Sequence, residues 1–520
     1  MNNWFSRIPR EYWAYLALAF WGALVFMLLN KTIYGLDEGA AHALLLVWSV
    51  ADGVVSSIVT LGLPDFRTLF FIPAGVLWTG NVLAAKLATM LVMAVAVWAL
   101  YAWRLQANRH GASAAPEQES ACAGLFPHPN PLPEGEETNE SLRDFHANDA
   151  ESSLLATGLL LISPLVLSQI DSMSVAPFLL FTVALGVWAD KNYRDAKLAF
   201  GGMYFAQIFL CLVGITLHPV GFAYPLALLW TWYRDPIDKK HRNYLFTGIA
   251  AVIIIALALT SGWRHVEWFM NPIKALSDTL LGTDGDMGIV RWITGIGVLC
   301  ILLWVILKQA ANLWADMLGR ILVLALVIGL LCGDQIFGVI ALVICLYWGL
   351  PLLLSRPVNP QSGFWGQRGL ALVVIFAVAT TFMINDKARY LTMLTGELSQ
   401  RDSLIKALAE DGGFFLKDEP VQDSQDKSGK KRLRVASQWP GLTMLACKCD
   451  ALPLPPDARD SAALLAMLRG VDYLVFDPRN PDNSSLSHNL ATMDAGLVET
   501  VDLKPGGVIV LVRKRAQTVK

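Results

Sequence analysis

The chain has 520 residues, of which 55% are hydrophobic and only 16% charged, with a formal net charge of −2. Soluble domains carry about 25% charged residues, and no Lys/Arg-rich block offers a footprint for nucleic acid. A water-soluble enzyme and a nucleic-acid-binding protein are both excluded, and repeated apolar runs of roughly the 17–25 residues a bilayer requires point to a polytopic membrane protein.

The first run, Tyr12–Leu29, is long for the core of a signal peptide, and no small-residue cleavage site follows it. It reads as a retained first span. Further spans are predicted at Val82–Trp103, Leu154–Leu167, Val175–Ala189, Leu198–Leu217, Val220–Tyr233, Tyr244–Thr260, Ile289–Leu307, Ile321–Cys332, Ile336–Leu354 and Leu370–Ile384, about eleven in all. Lys and Arg collect in alternate connections, for example Arg7 with Arg10, Lys191 to Lys197 and Arg234 to Arg242. The opposite loops hold only Lys31, Arg67, Arg264, Lys274 and Arg291. By the positive-inside bias the N-terminus is cytoplasmic and the C-terminus outside.

The expected architecture is therefore a mostly α, polytopic transmembrane helical bundle over residues 1–384, N-in and C-out. A small extracytoplasmic α/β domain over 385–520 completes it. The first external loop, 30–81, is apolar but broken by Pro64 and Pro73, which suits helices lying in the membrane interface. The polar segment 106–152 is predicted to be a disordered cytoplasmic loop. Its core PHPNPLPEGEE resembles peptides translated from interspersed bacterial repeats, as an insertion without function would.

In the tail, TMLTGELSQRDSLIKALAE and ARDSAALLAMLRG read as helices. RLRVAS, LTMLA, VDYLVFD, LVETVDL and GVIVLVRK read as strands, with a flexible loop near residues 422–431. No glycine-rich fingerprint follows a strand, so a nucleotide site is unsupported. Four of the seven cysteines lie in apolar segments, where a thiol behaves as a small hydrophobe. Only Cys447 and Cys449 share the soluble region, in a C-x-C spacing that disfavours a disulfide.

Chemistry-bearing residues gather on the outer face. In KTIYGLDEGAAH, Asp37 and Glu38 follow directly on the first span; they are either the acids of a site or a helix N-terminal pair. Adjacent helical residues point about 100° apart, so at most one of the two faces a given substrate. Asp171 in LSQIDSMSVAP is a site acid or a cap on the next helix, and His218 in GITLHPVGFAYP a ligand contact or a hydrogen-bonded helix end. Arg67 in PDFRTLFFIP anchors a lipid phosphate or snorkels. The charge argument maps all five to one membrane face. Acids there could take a proton from an attacking hydroxyl, and cations could hold a phosphate leaving group. Asp37, His42 and Asp171 could in principle ligate a divalent metal, though their spacing matches no recognised ligand pattern, and the metal site is left unknown.

A first span followed at once by an external Asp-Glu pair resembles the GT-C membrane glycosyltransferases. The likeness is greatest to glycosyltransferase family 39 and its aminoarabinose-transferase and protein-mannosyltransferase-like relatives. PDFRTLFFIPAGVLWTGNVLAAKLATML, SQIDSMSVAPFLLFTVALGVWA and the tail VDYLVFDPRNP with GLVETVDLKPGGVIVLVRK extend the resemblance. GITLHPVGFAYPLALLW is similar to the family's T-K-G-P segment, but His218 stands where Lys is common. The resemblance implies transfer of a sugar from a polyprenyl-phosphate donor to an extracytoplasmic lipid, glycan or protein. It also implies a place in the bacterial inner membrane, among membrane lipids. Carried onto this chain, Asp37 is the catalytic base, Glu38 positions donor or acceptor and Asp171 shapes the site. Arg67, His218 and His42 are the substrate-binding candidates. A transporter or flippase for a lipid-linked or small polar substrate is the alternative. It is weakened because no internal repeat is visible and the charged candidates sit at one surface instead of the midplane.

Overall fold

The computed structural model describes residues 10–51, 67–78, 80–122, 153–195, 202–234, 239–259, 300–332, 336–350, 398, 400–411, 434–455, 458–478, 480, 483–493, 498–503 and 507–512. The expected span Leu370–Ile384, the start of that at Ile289 and the loop at 422–431 lie outside the described residues, as do 123–152 of the polar segment. Residues 106–122 are helical, continuing the helix Val82–Cys122.

The chain divides into two compact units. The first comprises Met1–Phe26, Thr89–Ile170 and Val175–Lys387 and is helical throughout its described part. Among the described residues one helix, Val82–Trp103, is by itself long and apolar enough to cross a bilayer. The third expected span is broken. Ser153–Ile162 and Leu165–Asp171 meet at a bend of 51°, because Pro164 lacks the N–H that a continuous helix needs there. Shorter apolar helices run over Gly202–Leu217, Met317–Cys332 and Ile336–Gly349. Large apolar side chains stand open on this unit, among them Phe20 (72%), Leu91 (63%) and Ile254 (67%). Such exposure suits a lipid surround and would be a liability in water.

The second unit joins Met27–Ala88, Asp171–Ser174 and Ala388–Lys520. Its tail carries a five-stranded sheet: β1 (Arg434–Ser437), β2 (Asp450–Pro453), β3 (Tyr473–Phe476), β4 (Val498–Leu503) and β5 (Gly507–Val512), in the order β2-β1-β3-β5-β4. β1 pairs in parallel with β2 and β3, whereas β5 runs antiparallel to both β3 and β4. Alternation along the strands makes a layer on each side. Ala436, Leu474 and Phe476 pack with Leu464, Leu486 and Leu490, while Val435, Tyr473 and Val475 pack with Leu404 and Leu408 of helix Gln400–Asp411.

One expected strand is corrected. LTMLA lies in a helix, Pro440–Cys447, and the strand is instead the following Asp450–Pro453. A five-residue apolar run fits either period. Pro440 supplies a preset first-turn φ, and Lys448 closes the helix at φ +52. Pro453 is tolerated because β2 is an edge strand bonded only to β1.

The first external loop contributes two packed helices, Glu38–Ala51 and Arg67–Leu77. The former buries Ala40, Ala41, Ala43, Leu44 and Val47, a stripe of helical period. Gly75 allows the close approach: a Cβ there would lie 2.0 Å from Val47 Cγ1.

Candidate functional site

The acidic loop of the second unit is built from Asn30 to Glu38. Gly35 adopts φ +86, a left-handed conformation that glycine takes without steric cost. This turn brings Leu36 into the core and delivers Asp37 to the start of helix Glu38–Ala51, where its carbonyl accepts the first helical bond, from Ala41 N–H, at 3.0 Å.

Asp37 is held at two points. Its backbone N–H donates to Ser172 O at 2.8 Å, and its Oδ2 accepts from Arg67 Nη1 at 2.7 Å. The same Nη1 donates to Met173 O at 3.2 Å. The Arg67 side chain is 4% exposed and that of Asp37 30%. A buried guanidinium thus orients a carboxylate that still reaches the surface. Arg67 does not snorkel; it crosslinks the loop to the 171–174 segment.

Asp171 has a different environment. Its Oδ1 accepts from Asn30 N–H at 2.8 Å and from Lys86 Nζ at 2.9 Å, and Lys86 also donates to Asn30 O at 2.8 Å. Lys86 is fully buried and Asp171 is 5% exposed. Removing one partner of such a pair costs about 3–5 kcal/mol, because the other charge is left uncompensated. Asp171 therefore anchors the start of the loop.

Glu38 faces the tail. Its Oε1 accepts from Gly441 N–H and lies 3.0 Å from His42 Nε2, while Oε2 accepts from Leu442 N–H at 3.2 Å. The carboxylate so caps the N-terminus of helix Pro440–Cys447, where free N–H groups and the helix dipole favour an anion. Gly441 is required for this approach, since a Cβ would stand 2.0 Å from His42 Cδ2 and 2.8 Å from Glu38 Oε1.

The structure brings Asp37, Arg67 and the Asp171 segment together and sets Glu38 and His42 against the tail. His218 belongs to the first unit, where its Nδ1 accepts from Val220 N–H at 3.2 Å as the cap of the turn Pro219–Phe222. Four residues escaped the sequence reading: Lys86, Arg401, Asp402 and Gly441. Lys86 alone left a signal, as a lone charge in the apolar run VLAAKLATML. The three candidate metal ligands do not converge. Asp37 faces Arg67, His42 faces Glu38 and Asp171 faces Lys86, and no group of three or more His, Cys, Asp or Glu suited to a metal occurs among the described residues.

No protein-family model matches the sequence, and no curated protein matches it. Two solved structures of an Archaeoglobus fulgidus oligosaccharyltransferase are similar to the chain at low identity. One, AglB in complex with an inhibitory peptide and a dolichol-phosphate, is 11% identical at a TM-score of 0.48, over 91% of this chain and 70% of that one. The other, in the apo form, is 12% identical at a TM-score of 0.47, over 92% and 70%.

Proposed function

We propose that this chain is a polytopic membrane glycosyltransferase of the GT-C type, which moves a sugar from a polyprenyl-phosphate carrier to an acceptor outside the cytoplasm. The observation that carries the reading is the Asp37–Arg67 pair, a partly open carboxylate oriented by a buried cation directly after the first apolar helix. The sequence resemblance puts the catalytic acid at this same position. Asp37 is the base. An acceptor hydroxyl oxygen forms a bond to the anomeric carbon as the bond from that carbon to the phosphate oxygen breaks. The phosphate leaves with the electron pair, and the hydroxyl proton passes to Asp37. A phosphate is a competent leaving group, so a single base suffices and the anomeric configuration inverts. Arg67 sets the direction of the base, and Asp171 with Lys86 keeps the loop in place.

The test supplies the full-length protein in vesicles with a panel of undecaprenyl phosphates, each carrying one radiolabelled sugar. Wild type should transfer label from at least one of them, and Asp37→Asn should abolish that transfer while inserting and folding normally. Full activity of Asp37→Asn removes the assigned base. Failure of wild type to turn over any polyprenyl-linked sugar, with movement of intact carrier across the bilayer instead, removes the glycosyltransferase reading.

A further inference from the structure

The residues flanking Asp37 are gripped from the far end of the chain. Gly35 N–H donates to Asp402 Oδ2 at 3.1 Å, and Arg401 Nη2 donates to Leu36 O at 3.0 Å. On the other flank the Glu38 carboxylate takes the N–H groups of Gly441 and Leu442. Residues 35, 36 and 38 are thus each bonded to the tail, while Asp37 between them is bonded to Ser172 and Arg67. The grip is built for the purpose. Asp402 is 2% exposed and is itself braced by Arg401 Nε on its Oδ1 at 3.3 Å. Gly441 leaves room for the Glu38 carboxylate where any side chain would collide. Helix Gln400–Asp411, which presents Arg401 and Asp402, is fastened to the sheet through Leu404 and Leu408.

We infer that the C-terminal domain is a positioning element for the acidic loop: the Asp402–Gly35, Arg401–Leu36 and Glu38–Gly441 contacts hold Asp37 in its working orientation. The inference rests on the reading of Asp37 as the base, and it assigns the soluble domain a task within that reaction. Glu38, Arg401 and Asp402 are positioning residues, since each acts on Asp37 through the backbone between them. The physical case is one of ordering. A short loop with a left-handed glycine has many alternative conformations, and fixing each residue costs conformational entropy. Charge-assisted bonds, the stronger kind of hydrogen bond, offset that cost only while the tail is folded. A base displaced by about 1 Å loses on the order of a hundredfold in rate, so loosening the grip should slow the chemical step without altering donor binding.

The experiment uses full-length protein in vesicles and reads hydrogen exchange of the 35–41 amides beside transfer kinetics with whichever labelled undecaprenyl-phosphate sugar wild type turns over. Asp402→Asn preserves side-chain shape and Gly441→Ala displaces Glu38. Each should raise exchange in 35–41 at least tenfold and lower kcat about 10–100-fold, with KM for the donor within about twofold of wild type. Protection of the Tyr473–Phe476 amides reports that the sheet is intact. Ser461→Ala, on the opposite layer of the sheet, should leave both readouts unchanged. Unchanged loop exchange in both variants overturns the inference, whatever the activity. So does raised exchange with wild-type kcat, because the grip would then be irrelevant to the reaction. If Asp37→Asn alone proves fully active, the assignment of the base fails, while the exchange data still decide whether the tail orders the loop.

Discussion

Arg67 and Asp37 form an asymmetric pair: the Nη1–Oδ2 distance is 2.7 Å, yet the guanidinium is almost wholly buried and the carboxylate nearly a third exposed. The cation is fixed by the fold and the anion is aimed by it. That asymmetry sets the pair apart from an ordinary internal ion pair such as Lys86–Asp171, in which both partners are buried.

Replacing Arg67 should therefore damage orientation more than stability. Arg67→Lys keeps the charge but withdraws the guanidinium Nη1 that serves Asp37 and Met173 O together. Transfer rates in vesicles should drop about 10–100-fold. The stability loss should be about 1–3 kcal/mol, below that of a fully buried pair because Asp37 is partly solvated.

Lys86 and Asp171 should behave as one unit. Lys86→Met or Asp171→Asn singly should cost about 3–5 kcal/mol in detergent-solubilised protein. The double variant should lose less than the sum of the two, and thermal unfolding of all four species gives the coupling energy directly. Strict additivity would show that the pair does not anchor Asn30.

At Gly35 the constraint is backbone conformation alone. A Cβ would meet Asp171 Oδ2 at an ordinary 3.8 Å, so Gly35→Ala should cost only the left-handed penalty of about 1–2 kcal/mol. Gly35→Asn should cost less, since Asn visits that region more readily. Equal losses in the two variants, read by thermal unfolding, would point to a steric cause instead.

Gly75 presents the opposite case, space without strain. A Cβ there would overlap Val47 Cγ1 at 2.0 Å. Gly75→Ala should destabilise by about 1–3 kcal/mol as an overpacked contact. Adding Val47→Ala removes the colliding methyl and should recover part of the loss, measured by the same unfolding assay.

Cys449 gives a pH-dependent prediction beside the C-terminal sheet. The neighbouring Cys447 thiol and burial push the Cys449 thiol well above the ordinary cysteine range. A thiol whose folded pKa is raised favours the folded state while protonated. Its contribution is complete below the ordinary thiol pKa and is lost as pH climbs above it. Maleimide at pH 8 should label Cys447 and spare Cys449 until the domain unfolds, and the domain should weaken in strongly alkaline buffer. Rapid labelling of native Cys449 would contradict its burial.

The sequence by itself determined that the chain is mostly helical with a small sheet near its C-terminal end, because hydrophobic periodicity is a local property. It also marked Asp37 and Glu38, which stand out against an apolar background, and the strands β1, β3, β4 and β5, each of which lies within a predicted run. LTMLA was too short for its period to decide between helix and strand. Only the tertiary structure decided what each acid does: Asp171 neutralises Lys86 across 85 positions, and Glu38 caps a helix more than 400 residues away. Such partnerships depend on where the folded chain crosses itself, and no local spacing encodes that. The same limit hid Asp402 and Gly441, an acid in an unremarkable amphipathic helix and a glycine whose missing side chain matters only when His42 and Glu38 arrive beside it.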